Sequence, residues 1–290
     1  MAGFLSTLLI LAAAIPPAFG FCGAHTHLDR REEGGNVIPT ATFGYFGAGG
    51  PLMWHHLAPN NALCSTGSNQ SPINMVEGSF TLVPGSNLTV SLPDNLSNGA
   101  TFENLGSTIE VVMEGLGGTL ALDGLDYELA QFHFHNPSEH IDNGIGMPME
   151  MHMVFTHNTT IAVIGVYIDL VDTVPSTNPT SILQESASSN MLETIFSSVD
   201  AISTPGTETT TPAFSMTELS DLLAAAEFKR YSGSLTTPPC SEGVSWSVST
   251  KNLLLSRETF VKVRDVVGFN SRFSQNFPGL PNILVMSQLV

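Results

Sequence analysis

Gln131-Phe-His-Phe-His135, followed by Pro137-Ser-Glu-His140 and then by Glu150-Met-His152, is the stretch from which the rest of the chain is read. In a β-strand, side chains two apart share a face, so His133 and His135 point one way and Phe132 and Phe134 the other. The run Ile141-Asp-Asn-Gly-Ile-Gly-Met-Pro148 is turn chemistry, and Met149 to Phe155 reads as a returning antiparallel strand. His152 then arrives as a third imidazole. Three neutral imidazoles with a fourth position left open suit catalytic zinc, whereas structural zinc takes four protein ligands, mostly cysteines.

Two histidines on an amphipathic strand also describe an ordinary polar face, and the neighbouring residues separate the two readings. A ligating histidine needs its second ring nitrogen fixed by an acceptor. Gln131 and Glu150 each stand two residues before a ligand, on its side of the strand.

The 290 residues have room for one large domain, and no internal repeat or long linker divides them. With 9 Lys+Arg against 26 Asp+Glu, the formal charge of -17 repels phosphate backbones and anionic membranes, so nucleic acid is not an expected partner. Plentiful glycine and proline fit a β-rich protein with many turns.

Residues 1–20 read as a secretory signal peptide. An apolar run from Phe4 to Ile15, too short for a membrane span, ends at Pro16-Pro17 and the small-x-small tripeptide Ala18-Phe19-Gly20. Cleavage is expected after Gly20 or Ala24, and the protein is expected to be extracellular. Residues 21–40 form a polar leader in which Arg30-Arg31 offers a dibasic processing point, and 41–290 is the folded catalytic domain. Sequons stand at Asn69, Asn87, Asn95 and Asn158 as candidate N-glycosylation sites.

Leu88 to Leu92 and Thr108 to Val112 read as strands, and Ile161 to Ile168, apolar on both faces, as a central strand beside the histidine pair. Helices are expected over Ser181 to Val199, with Ser181 and Gln184 as a capping box, and over Leu219 to Phe228, with Ser215 and Glu218 repeating that signature. A third runs from a Ser256 cap to Gly268. The expected fold is mainly β (α+β): a single domain on a large, mostly antiparallel twisted central sheet with short peripheral helices.

Taken together, Gln131 to His135, Ser138-Glu-His140, Glu150-Met-His152 and Tyr231-Ser-Gly-Ser-Leu-Thr-Thr-Pro-Pro239 resemble the α-class carbonic anhydrases of the secreted type, in that order. Phe43-Gly-Tyr45, Gly50-Pro-Leu-Met-Trp54 and Asn69-Gln-Ser-Pro-Ile73 resemble the same family's N-terminal landmarks. The resemblance implies that His133, His135 and His152 hold one zinc ion per chain, with Gln131 and Glu150 fixing the ligands. It makes Thr236 the residue that accepts a hydrogen bond from zinc-bound hydroxide and donates to Glu139. Val154, Val163, Leu235 and Trp246 become the apolar pocket for carbon dioxide, and Tyr45, Asn98 and Thr237 line the solvent network. The implied reaction is reversible hydration of carbon dioxide to bicarbonate and a proton.

In Asn98-Gly-Ala-Thr-Phe102, Ala100 stands where the fast enzymes of the family have a histidine shuttle, so slower, buffer-dependent turnover is expected, with His55, His56 or a residue on a different loop as the substitute relay. It pairs Cys64 with Cys240 in a disulfide and leaves Cys22 over, either lost with the leader or free to link a homodimer; the protein is expected to be a monomer or a homodimer. A cupin would also use His133, His135 and Glu139, but Tyr127 stands where its glycine belongs and its second motif is missing. A catalytically weak binding module of the same family is the other alternative. Such relatives typically lack a zinc histidine, and this chain has all three.

Overall fold

The computed structural model describes residues 38–171 and 188–287. The signal peptide, Arg30-Arg31, Cys22 and the Ser181/Gln184 cap lie outside these. Among the described residues a 12-stranded sheet dominates. Its main path uses nine strands, numbered here in chain order: β1 (Thr81–Pro84), β2 (Thr101–Asn104), β3 (Ile109–Val112), β4 (Leu125–His135), β5 (Met149–His157), β6 (Thr160–Leu170), β7 (Glu208–Thr210), β8 (Glu227–Ser234) and β9 (Glu242–Ser249). Across the sheet they lie in the order β7-β2-β3-β4-β5-β6-β9-β8-β1. Every step on this path is antiparallel except β6 to β9, where Val163 pairs with Trp246 in parallel. The long central strands are the expected ones: β6 is apolar and β-branched on both faces, and a strand buried on both sides requires that.

The two faces of the sheet have different compositions. Phe132 and Phe134 on β4, Met149, Met151, Met153 and Phe155 on β5, and Ala162, Ile164 and Val166 on β6 join the main hydrophobic core. The alternate residues face the other way. Pairing sets His133 opposite His152 and Gln131 opposite Val154, while Val163 sits between Val154 and Trp246. One irregularity makes this possible. The register shifts between Leu129 and Gln131, so Ala130 is an extra residue. Before it the odd-numbered Tyr127 and Leu129 point into the main core; after it the odd-numbered Gln131, His133 and His135 point away.

The helices are short and peripheral, but two differ from expectation. The helix expected from Ser181 spans Asn190–Phe196, capped by Ser189, whose hydroxyl accepts from the Leu192 N–H at 3.4 Å; Val199 follows in a separate 3-10 turn. Ser215 and Glu218 do not form a reciprocal cap. Ser215 Oγ bonds to Thr217, and Glu218 instead accepts from Ser189 at 3.0 Å, tying two helices together. That helix, Thr217–Ala224, ends well before Phe228, because Phe228 is held in β8 between Ser249 and Val83. The third helix, Arg257–Val267, is as expected: Ser256 accepts from Thr259 N–H at 3.2 Å, and Gly268 leaves the helix at φ 66°.

Candidate metal centre

The pairing of β4 with β5 sets His133 directly opposite His152, with His135 two residues along. All three rings are buried, and one ligand nitrogen from each lies within 4.8 Å of the others. Their tautomers follow from the groups they touch. His133 Nδ1 is 2.9 Å from Gln131 Oε1, His135 Nδ1 is 2.9 Å from the Asn270 carbonyl, and His152 Nε2 is 2.9 Å from Glu150 Oε1. Each partner atom only accepts, so each of these nitrogens carries the proton and the other nitrogen of each ring keeps a lone pair. His133 Nε2 and His135 Nε2 are buried without a hydrogen-bond partner. Burial, with the neighbouring imidazoles, holds His133 well below the ordinary histidine value and His135 at about 3. Neutral imidazoles presented in this way fit a divalent metal such as zinc.

Glu150 is fixed on all sides. Its Oε2 accepts from the backbone N–H groups of Glu139 and His140 at 2.9 and 2.8 Å, and its Oε1 accepts from His140 Nδ1 at 2.7 Å as well as from His152. Burial works against its ionisation, but His140 and His152 outweigh it and hold the carboxyl well below the usual range. His140 in turn receives Tyr231 O–H at 2.7 Å, and Tyr231 lies 2.7 Å from Ser71 Oγ. Because Ser71 Oγ accepts from Ser234 N–H, its own proton goes to Tyr231, so Ser71, Tyr231 and His140 donate in one direction toward Glu150, on which the His152 N–H converges from the other side.

Beside the imidazoles, Glu139 accepts from Thr236 and from the Arg272 backbone N–H, the latter at 2.9 Å. Its Oε2 stands 3.5 Å from His135 Nε2 and 4.0 Å from His152 Nδ1. Burial pushes this carboxyl up to about 7, against the pull of the neighbouring imidazole and of its hydrogen bonds from Thr236 and Arg272. Val154, Val163, Leu235 and Trp246 fall into one buried apolar cluster, separate from the main core, with the Trp246 ring 4.8 Å from His152. The centre therefore presents metal-type donors, an oriented hydroxyl and a dry apolar wall on one face of the sheet.

A family model described as eukaryotic-type carbonic anhydrase matches residues 49–277. The chain belongs to the carbonic anhydrase family. A carbonic anhydrase of Pectobacterium atrosepticum is 33% identical over 217 residues, 74% of this chain and 79% of that protein. Alpha carbonic anhydrase 7 of Arabidopsis thaliana is 33% identical and covers 77% of this chain and 76% of its own length. The solved fungal alpha carbonic anhydrase of Aspergillus oryzae superposes with a TM-score of 0.77 at 35% identity, covering 86% of this chain and 99% of that one. The cupin alternative is thereby removed.

The disulfide of this carbonic anhydrase joins Cys64 to Cys240, as the resemblance implied, and ties the segment after Thr236 to the N-terminal region. Thr237 is buried beside it, its carbonyl receiving Cys240 N–H at 2.8 Å. Tyr45 packs on Trp54 at 5.7 Å and shares a cavity wall with Glu139 and Arg272. Asn98 is exposed in the turn before β2, and Ala100, just before that strand, is buried and packs with Phe102 in the main core. In the loop after β2, the Ser107 carbonyl accepts from Asn270, the residue that orients His135. Among the sequons, Asn87, Asn95 and Asn158 are exposed, while Asn69 is half-buried with its N–H bonded to Glu242.

Asn270 and Arg272 escaped sequence reasoning. Both act through the backbone, the Asn270 carbonyl on His135 and the Arg272 N–H on Glu139, and no side-chain pattern announces a carbonyl or an N–H. Gly165 was likewise missed. It lies opposite His152, where a Cβ would come 2.9 Å from Glu150 Oε1.

Proposed function

We propose that this carbonic anhydrase hydrates carbon dioxide at a single zinc ion held by His133 Nε2, His135 Nε2 and His152 Nδ1. One observation carries the reading: three buried imidazoles have their protonated nitrogens turned to acceptor-only groups and their lone pairs turned to one point. Zinc bound there supplies a Lewis acid that brings the pKa of a coordinated water to about 7, the value known for this enzyme class rather than one worked out from this chain.

The protein's residues do the rest. Thr236 gives its proton to Glu139, which leaves the hydroxyl oxygen free to accept from the attacking oxygen and so to aim its lone pair. Val154, Val163, Leu235 and Trp246 hold the apolar substrate beside that oxygen and exclude water. The proton then leaves slowly. Of the histidines among the described residues, three are ligands, His140 is committed to Glu150 and Tyr231, and His157 bonds the Asp126 carbonyl, so the adjacent pair His55 and His56, with ring centroids 3.9 Å apart, is left as a relay. Turnover therefore leans on buffer. We also read the protein as secreted, with glycans on the exposed sequons and a mature chain beginning within residues 21–40.

Stopped-flow hydration of carbon dioxide, on protein whose metal is assayed, removed by chelation and returned as zinc, tests the reading. Activity that follows zinc with one ion per chain is expected. Full zinc occupancy without activity would refute it in favour of a binding module.

A further inference from the structure

Tyr231 is not among the three imidazole ligands, but two residues link it to one of them. Its hydroxyl is 2.7 Å from His140 Nε2, His140 Nδ1 is 2.7 Å from Glu150 Oε1, and that same oxygen takes the proton of His152 Nε2 at 2.9 Å. Burial holds the phenol well above its ordinary pKa, so it stays a donor. While Tyr231 O–H occupies the Nε2 lone pair of His140, the single proton of that imidazole sits on Nδ1 and faces Glu150. Without the phenol donor, the ring keeps a buried and unsatisfied nitrogen, and its other tautomer would turn a lone pair on the carboxylate. Glu150 Oε1 would then have His152 as its one donor.

The phenol is itself held in place. Its ring stacks on Trp246, with centroids 6.3 Å apart and planes 12° from parallel. A Cβ at Gly233, two residues along β8, would strike Ser71 Oγ and lie 2.6 Å from Tyr231 Cε2, so the strand passes this pair too closely for a side chain. Ser71, which donates to the phenol, exchanges two bonds with Ser234, backbone N–H to hydroxyl in each direction, at 2.9 and 3.0 Å. Its carbonyl accepts from the buried Arg272 guanidinium at 2.7 Å. Three distant segments of the chain therefore fix one hydroxyl beside His140.

We propose that Tyr231 is a positioning residue for the metal ligand His152, acting through His140 and Glu150. Its effect on affinity rests on zinc being the metal of the three imidazoles; its effect on the His152 ring does not. Tyr167 supplies the comparison. It is the strand partner of Glu150, it is buried in the apolar cluster against which Tyr231 packs, and its hydroxyl has no hydrogen-bond partner among the described residues. Removing that hydroxyl deletes the same atom from the same cluster and breaks no bond.

The test sets Tyr231→Phe beside Tyr167→Phe in the full chain. Competition with a chromophoric chelator should show zinc affinity about 10-fold lower in Tyr231→Phe, the lower end of the loss for groups that hold a metal ligand, and within about twofold of wild type in Tyr167→Phe. In the metal-free protein the proton resonance of His152 Nε2–H reads the bond to Glu150 directly, and it should shift upfield and exchange faster in Tyr231→Phe alone. Ser71→Ala, which removes the donor to Tyr231, should produce the same shift in smaller measure, and it replaces Tyr231→Phe if that variant does not melt cooperatively. An unshifted His152 resonance, a zinc affinity indifferent to Tyr231→Phe, or equal changes in both tyrosine variants would overturn the proposal. A wild-type chain that takes up no zinc would refute the metal reading alone, and the His152 resonance would still decide the positioning.

Discussion

Gly165→Ala is the smallest change that tests how the metal ligands are held. In a central strand, alanine normally improves on glycine by about 0.5–1 kcal/mol through the entropy of the unfolded chain. Here the new methyl would lie 2.9 Å from Glu150 Oε1, 3.4 Å from Val248 Cγ2 and 3.8 Å from His152 Cδ2. The closest neighbour is a side-chain oxygen, and a flexible one would simply move. Glu150 cannot: four hydrogen bonds of 2.7 to 2.9 Å hold its two oxygens. The clash must instead be taken up by β6 moving off β5 or by the carboxylate leaving His152. Overpacking of a fitted core costs about 1–3 kcal/mol, which exceeds the propensity gain. Loss of the acceptor on a ligating histidine costs about 10- to 100-fold in metal affinity. Urea unfolding of the metal-free protein and competition for zinc against a chromophoric chelator read the two terms separately. A variant as stable as wild type with unchanged zinc affinity would show that Glu150 is not positioned as argued.

The metal-free protein should lose stability as pH falls. Unfolding below about pH 6.5 lets the depressed His133 and His135 take up two protons while Glu139, raised to about 7, gives up one until about pH 4.5. The net uptake of about one proton lowers stability by about 1.4 kcal/mol per pH unit in that window, and Glu150 steepens the fall below it; a flat profile in urea titrations would contradict this. Replacing Cys64 and Cys240 together by alanine opens a link spanning 176 residues and should cost about 5 kcal/mol on chain-entropy grounds, so a loss under about 1 kcal/mol would count against it. Thr236→Ala should lower kcat/KM about 100-fold and Thr236→Ser far less, because serine keeps the proton for Glu139; equal losses would remove the orienting role. Raising imidazole-type buffer concentration should raise kcat and leave kcat/KM unchanged, and a kcat indifferent to buffer would show that an internal relay suffices.

The metal ligands were legible because strand periodicity is a local rule: His133, His135 and His152 need only two adjacent strands and a turn to meet, and Gln131 and Glu150 obey the same period. The Ser215 cap failed for a tertiary reason. Glu218 found a partner on another helix, a tertiary contact that outweighs a local signature. Asn270, 135 residues from His135, meets it through a carbonyl that every residue type possesses.

Ala130 behaves like a frame-setting codon. Its side chain does nothing in the metal centre, yet it is the residue that turns two histidines away from the core while Tyr127 and Leu129 remain inside it. Deleting this one alanine would exchange the two faces of the strand's end, presenting Phe132 and Phe134 to the site and driving three polar side chains into the core. Substitution at the same position leaves the phase intact. Libraries that vary this strand should therefore accept many residues at position 130 and no change in its length.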